Sequence, residues 1–303
     1  MTPAFDDRDG VIWMDGELKP WREANVHVLT HGLHYASSIF EGERAYNGVI
    51  FKLREHTERL FASARLLGFE IPYTVEEIDA ACDRVVSENG LVDAYVRPVA
   101  WRGSEMMAVS AQHATIHVAI AAWAWPSMYD PAEKLKGIRL AWAEWKRPNP
   151  ETIPVKAKAA GLYMICTLSK HAAEAKGFHD ALMLDWRGYV AEATGANIFF
   201  VRDGEIHTPI TDCTLDGITR RTVIDLAAAR QLKVIERHID GSEIVDGAFA
   251  ECFLTGTAAE VTPVASIGEV TFPERTISQA MMEDYAALVR KAGAAATPAP
   301  VVA

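Results

Sequence analysis

Thr152-Ile153-Pro154-Val155-Lys156-Ala157-Lys158-Ala159-Ala160-Gly161-Leu162-Tyr163 sets a lysine among small and apolar neighbours, with a second lysine two residues back. A lysine in such a setting is poorly solvated, which disfavours its ammonium form. A neutral lysine amine is a nucleophile that joins carbonyl carbons as a Schiff base. Most lysines are solvated surface groups, so the segment alone leaves Lys158 open to that plainer reading. If the segment is extended, Lys156 lies on the same face as Lys158.

Working outward, three features suit a phosphate-bearing aldehyde. In Leu215-Asp216-Gly217-Ile218-Thr219-Arg220-Arg221 a glycine turn runs into a helix. Free backbone N–H groups at a helix start, aided by the dipole, receive anions, and Thr219 adds a hydroxyl. The plainer alternative is an ordinary helix start capped by Asp216. Arg54, in Lys52-Leu53-Arg54-Glu55-His56, is expected just before a helix, where it can clamp a phosphate or pair with Glu58. Glu192, in Tyr189-Val190-Ala191-Glu192-Ala193-Thr194-Gly195-Ala196-Asn197, is a carboxylate among small residues at a strand end. It suits the protonated nitrogen of a pyridine ring, or backbone amides of its own loop. Thr255-Gly256-Thr257-Ala258-Ala259 adds small residues whose backbone can approach a phosphate or a carboxylate.

The bulk properties frame these signals. A chain of 303 residues, half of them hydrophobic, suggests two domains with sizeable cores. We expect an N-terminal α+β domain over 1–125, a linker over 126–136, a C-terminal ligand-binding domain over 137–292 and an unstructured Ala/Pro tail over 293–303. A net charge of −11 argues against non-specific binding of nucleic acid or anionic lipid. Cys82, Cys166, Cys213 and Cys252 lack metal or redox spacing and read as buried thiols of a reducing compartment. With no signal-peptide pattern and no apolar run of membrane-spanning length, a soluble cytoplasmic protein is expected.

Asp15-Gly16 and Asn47-Gly48 each sit between short apolar runs and predict hairpins. Leu60, Ala64 and Leu67 predict a helix stripe ending near Gly68. Thr74 with Glu77 predicts a capped helix with Ile78, Cys82 and Val85 inside. Long strands are expected over 94–101 and 114–125. The second half alternates strands (137–145, 181–185, 189–191, 197–201, 205–207, 233–237, 251–254) with helices near 161–176, 218–231 and 277–291. The rhythm is not strict βαβ, so the class is α+β.

Taken together, the wording is specific. His34-Tyr35, Phe40-Glu41-Gly42 with Arg44, Phe51 with Arg54-Glu55-His56, Arg59-Leu60, Tyr95, Arg97-Pro98, Pro154 with Lys158 and Gly161, Glu192 with Gly195 and Asn197, Leu215, Gly217-Ile218-Thr219-Arg220 and Thr255 to Glu260 run in order from about Trp13 to Arg290. On these residues the chain resembles the branched-chain amino-acid aminotransferases, class IV (fold type IV) enzymes that use pyridoxal 5'-phosphate (PLP). The resemblance implies a two-domain α+β fold and a ping-pong transamination between Leu, Ile or Val and 2-oxoglutarate.

Residue by residue, it implies that Lys158 is the Schiff-base lysine, chosen over Lys156 by its distance to Gly161 and Tyr163. Tyr163 would bond the cofactor's phenolic oxygen, and Glu192 its ring nitrogen. Arg54, Ile218, Thr219 and Thr257 would hold its phosphate. Tyr95 with Thr257 and Ala258 would receive the substrate carboxylate. Tyr35, Phe40 and Trp125 would wall the side-chain pocket, with Arg44 beside them, and Arg97 would receive the distal carboxylate of glutamate. The stretch Tyr35 to Arg44 would cross a dimer interface, so a homodimer or trimer of dimers is implied. Ala196, Met128 and the loop Gly103-Ser104-Glu105-Met106-Met107 depart from the family pattern and bear on the substrate pocket. D-amino-acid aminotransferase, R-selective amine transaminase and aminodeoxychorismate lyase share the fold type and stay as alternatives. So do a non-catalytic phosphate binder and a PLP-free Schiff-base lyase.

Overall fold

The computed structural model describes residues 4–125 and 131–296. The chain divides into two compact units: Met1–Ser127 with Ala157–Gly161 and Val289–Ala303, and Met128–Lys156 with Leu162–Leu288. The five residues around Lys158 thus belong to the first unit, although the chain on either side belongs to the second.

In the first unit, β1 (Val11–Met14) and β2 (Glu17–Pro20) are joined by Asp15-Gly16. Both turn residues have positive φ, 52° and 95°, which matches the twist of a two-residue hairpin. The short helix α1 (His31–Tyr35) precedes β3 (Ser38–Phe40), β4 (Glu43–Tyr46) and β5 (Val49–Ile50), the last two joined by Asn47-Gly48 in the same left-handed geometry. Helix α2 (Leu53–Leu66) buries Leu60 and Ala64. Helix α3 (Val75–Glu88) starts with the expected capping box and buries Ile78, Cys82 and Val85 completely. Strands β6 (Ala94–Arg102) and β7 (Ile116–Ala124) pair along their whole length and form the middle of a seven-stranded sheet, ordered β2-β1-β7-β6-β4-β5 with β3 also on β6.

The second unit opens with α4 (Pro131–Leu135), β8 (Ile138–Trp142) and α5 (Met164–Ala175). There follow β9 (Asp180–Leu184), β10 (Val190–Ala193), β11 (Asn197–Arg202) and β12 (Glu205–Pro209). Next come α6 (Ile218–Ala229), β13 (Val234–Arg237) and α7 (Gly241–Val245). The unit closes with β14 (Glu251–Gly256), β15 (Glu260–Ile267), β16 (Val270–Thr271) and the first part of α8 (Thr276–Ala296), which from Val289 onward belongs to the first unit. Its nine-stranded sheet runs β10-β9-β8-β15-β14-β11-β12-β13, with β16 on β15. The β8–β9, β8–β15 and β12–β13 pairs are parallel and the rest antiparallel. Leu140, Ile198, Phe200, Leu254 and Phe272 fill one core of this sheet.

Several expectations need correction. Residues 126–130 of the expected linker lie outside the described residues, and Pro131–Leu135 is a helix of the second unit. The expected tail lies outside the described residues from 297 onward, while 293–296 continue α8. Strand β15 had no counterpart in the sequence reading, because Pro263 and a polar start hide its alternation. Among the described residues no helix is long and apolar enough to cross a membrane.

Candidate active site

Lys158 is half-buried in the first unit. Its N–H donates to Ser63 Oγ at 2.9 Å, and its carbonyl accepts from Phe40 N–H at 3.1 Å. Its Nζ stands 5.0 Å from the centre of the Phe40 ring. A backbone held on both sides aims the amine, which a catalytic lysine needs. Lys156 is exposed and donates to the Thr214 carbonyl at 3.3 Å.

Ser63 lies on a face of α2 that also carries Arg59, one turn back, and His56, two turns back. Arg59 Nε and Nη2 donate to both oxygens of Glu41, at 2.7 and 2.8 Å, and His56 Nδ1 lies 2.8 Å from Glu41 Oε2. Glu41 is fully buried. Burial works against its charge, but Arg59 and His56 outweigh it and hold the carboxyl well below the usual range. Burial pushes the His56 ring down, and the nearby charges of Arg59 and Lys158 push it further against the pull of Glu41. The ring is therefore neutral at pH 7. A carboxylate only accepts, so Nδ1 carries the proton.

Arg54 does not join this group. It is the second residue of α2 rather than a residue before it. It pairs with Glu76 at 2.6 Å and Asp79 at 2.9 Å, both on α3, and not with Glu58. At about 100° per residue, Arg54 points roughly 180° away from Ser63. Arg59 is the arginine on the lysine's side of the helix.

The expected substrate residues of the first unit mostly converge. Tyr95 and Arg97 share a face of β6, and Arg97 Nη2 donates to the Tyr95 hydroxyl at 3.0 Å. The Arg97 guanidinium lies 4.7 Å from the Phe40 ring centre. Tyr95 stacks on Trp123 at 5.1 Å and meets Trp125 at 5.4 Å. Gly42 is required here, since a Cβ would stand 2.1 Å from the Tyr95 hydroxyl. Arg44 is buried and donates to the Trp125 carbonyl at 3.2 Å. Tyr35 is different: it ends α1, is 44% exposed and stacks on His31.

In the second unit, Glu192 lies inside β10. A register shift after Val190 makes the strand bulge there, which re-aims the side chain. Asn197 Nδ2 donates to Glu192 Oε2 at 3.1 Å and to the Leu215 carbonyl at 3.0 Å. Arg147 Nε pairs with Glu192 Oε1 at 3.3 Å without hydrogen-bond alignment, and its Nη1 donates to Cys166 Sγ at 3.4 Å. Burial opposes the Arg147 charge, yet Glu192 leads the groups that raise it above its ordinary value. Burial likewise pushes the Cys166 thiol up to about 11.

Asn197 also reaches the start of α6. A Cβ on Gly217 would meet Asn197 Oδ1 at 2.2 Å, so any larger residue would displace the Asn197 amide from its present bonds. Gly217 is the N-cap and no side chain caps the helix; Asp216 bonds Arg220 at 3.0 Å instead. Ile218 and Thr219 are buried in the first turn. Thr257 and Ala258 lie in the turn between β14 and β15, half-buried and exposed respectively. Ala196 packs beneath Gly256, 3.5 Å from where a Cβ would stand. Tyr163 ends the 3-10 turn Ala160–Tyr163. Met128 lies outside the described residues.

Sequence reasoning missed the roles of Arg59, Arg147 and Asn197. Arg59 and Asn197 stood in the matching motifs without a role. Arg147, between Lys146 and Pro148, carried no local signal.

An aimed lysine in one unit, and a partnered carboxylate beside an uncapped helix start in the other, are the parts a PLP-dependent transferase needs. The chain matches the class IV amino-transferase family over residues 38–267. It is 44% identical over 265 residues to the branched-chain-amino-acid aminotransferase of Pseudomonas aeruginosa, covering 86% of each chain. It superposes on the branched-chain aminotransferase of the archaeon Thermoproteus uzoniensis with norvaline at a TM-score of 0.89, with 36% identity, covering 94% of this chain and 96% of the other. The PLP-form of the branched-chain amino acid aminotransferase from Thermobaculum terrenum gives 0.83 at 31% identity, covering 93% of this chain and 94% of the other. The chain belongs to the branched-chain amino-acid aminotransferase family of fold type IV enzymes.

Proposed function

We propose that this protein transfers the amino group of L-leucine, L-isoleucine or L-valine to 2-oxoglutarate, with PLP as its cofactor. The observation that carries the reading is Lys158, anchored through both backbone groups, in a chain this similar to branched-chain aminotransferases. The residues fit the cofactor: Glu192 is oriented by Arg147 and Asn197, and the first turn of α6 offers N–H groups with no side-chain cap.

When bound, PLP supplies an aldehyde carbon for amines and a ring that takes up electrons released at the substrate Cα. With the cofactor bound, Lys158 Nζ would be the amine that joins its aldehyde carbon at rest and, once released, the base positioned for the substrate Cα proton. Glu192 would keep a proton on the ring nitrogen. Ile218, Thr219 and Thr257 would hold the phosphate, and we assign the arginine of that group to Arg59 rather than Arg54. Tyr163 would bond the ring oxygen. Tyr95 and the 257–258 backbone receive the α-carboxylate. Phe40 and Trp125 bound the side chain, with Arg44 behind Trp125, and Arg97 receives the second carboxylate of glutamate.

The protein acts as a homo-oligomer in a reducing, cytoplasmic setting. Val26, Val28, Leu29, Leu33 and Tyr35 are exposed along one stretch, beside an apolar hollow of about 340 Å³ lined by Val26, Leu33 and Trp101. That is a surface for a second copy. All four cysteines are free and buried.

The test is the visible spectrum of the purified protein. A yellow band that bleaches with L-leucine and returns with 2-oxoglutarate supports the reading. A yellow band indifferent to leucine moves the substrate to D-amino acids, amines or aminodeoxychorismate. A protein colourless after incubation with PLP sinks it.

A further inference from the structure

The turn at 257–259 closes the β14–β15 hairpin, and the residue that ends it is strained. Glu260 pairs with Gly256 across the hairpin and has φ 55°, a left-handed conformation that favours glycine or asparagine. A non-glycine residue persists there only where its surroundings over-determine it. Lys134 is the surrounding that stands out. Its Nζ lies 2.9 Å from Glu260 Oε2, and both side chains are less than a fifth exposed. Lys134 itself is anchored: α4 is tied through Arg275 Nε, which donates to the Leu135 carbonyl at 3.2 Å, and through Gly137 N–H, which donates to the Lys134 carbonyl at 3.1 Å. On the other side of the turn, the Thr262 hydroxyl donates to the Ala259 carbonyl at 2.6 Å. The turn is therefore clamped at its far end by an ion pair whose cationic partner lies 126 residues away in sequence.

We propose that Lys134 is a positioning residue for the substrate: through Glu260 it fixes the 257–259 turn in the conformation whose backbone N–H groups meet the α-carboxylate. The inference rests on the proposed function, which gives that turn its carboxylate. A glycine at 260 would satisfy the backbone but would leave the turn untethered. Keeping a strained glutamate there makes sense if the tether is what matters. Neither residue touches the reacting atoms, so losing the pair affects binding of both amino acid and oxo acid and leaves the proton transfers at Lys158 alone.

The experiment compares Lys134→Met, Glu260→Gln, the double variant and Glu260→Gly with the wild type. Lys134→Met and Glu260→Gln each raise KM for leucine and 2-oxoglutarate roughly tenfold with kcat within about twofold, the size expected for one charge-assisted bond. The double variant is no worse than either single one. The visible band stays as in the wild type, and amide exchange at 257–259 speeds up in Lys134→Met. Glu260→Gly relieves the backbone strain, so it melts no lower than the wild type while still raising KM. That outcome separates positioning from mere folding support. Unchanged KM in these variants, additive effects in the double one, or unaltered exchange at the turn would overturn the inference while a working wild type keeps the proposed function. A wild type that ignores leucine overturns the proposed function and, with it, the leucine-positioning role of the turn.

Discussion

Glu192 and Glu43 are both buried glutamates on strands, and they have opposite surroundings. Glu192, on β10 of the second unit, is held by Asn197 and paired with Arg147. Glu43, on β4 of the first unit, is fully buried, and neither of its oxygens has a hydrogen-bond partner among the described residues. Burial first, then the charges of Glu41, Asp79 and Asp83, push the Glu43 carboxyl well above its ordinary range, against the weaker pull of Arg59. A partnered buried acid keeps its charge for use, whereas an unpartnered one stays protonated and costs stability. Two residues before Glu43, Glu41 has Arg59 and His56 and keeps its charge, so local sequence does not settle which acid is which.

The comparison can be broken most sharply at Glu192. Glu192→Gln keeps the shape but cannot hold a charged partner, so kcat falls by about 10²–10⁴-fold, measured in single-turnover and steady-state assays. If kcat is unchanged, Glu192 does not do the work assigned to it. Arg147→Met removes the cation and strands a buried carboxylate, which costs stability by up to about 3–5 kcal/mol in denaturant unfolding. The unaligned 3.3 Å contact places the expected loss at the low end of that range.

Glu43→Met should act in the other direction. Removing an unsatisfied buried acid stabilises the fold by about 1–3 kcal/mol. The gain has a pH signature. An unfolded chain releases the Glu43 proton near the ordinary value of 4.5, while the folded chain keeps it to higher pH. The folded state therefore binds more protons above 4.5, and wild-type stability falls as pH rises through that window. Glu43→Met removes the slope, so its advantage in melting temperature grows as the pH rises above 4.5. A constant advantage, or a loss, would show that Glu43 is partnered in solution.

The smallest effect is expected at Arg54. Arg54 and Glu76 are exposed while Asp79 is mostly covered, so Arg54→Ala leaves PLP affinity near wild type and lowers the melting temperature only slightly. Arg59→Ala weakens PLP binding. Equal losses of PLP affinity in the two variants would return Arg54 to the phosphate.

Much of this site was legible without coordinates. The lysine segment, the glycine turn into α6 and the small-residue stretch around Glu192 are local patterns, and the α2–α3 stripes and both Asx-Gly hairpins follow from periodicity and turn chemistry. What was not legible depends on pairings across the chain. Arg54 and Arg59 are both arginines on one helix, and only the angle each makes with Ser63 separates them. Arg147 and Glu192 are separated in the chain by α5 and β9, and the Lys134–Glu260 pair spans 126 residues. Strand β15 had to be found through its neighbours β8 and β14, because Pro263 reads as a breaker and Pro263-Val264 interrupts its alternation.

By itself, then, the order of residues determined the α+β class and the family and singled out the candidate lysine, since short-range geometry and chemically demanding motifs are written in consecutive positions. The tertiary structure decided which charges are neutralised. It gave Glu41 and Glu192 their partners, pushed the Glu43 carboxyl above its ordinary range, turned Arg54 outward and tied Glu260 to Lys134. A side chain's charge and aim depend on the groups within a few ångströms of it, and those groups come from distant parts of the sequence.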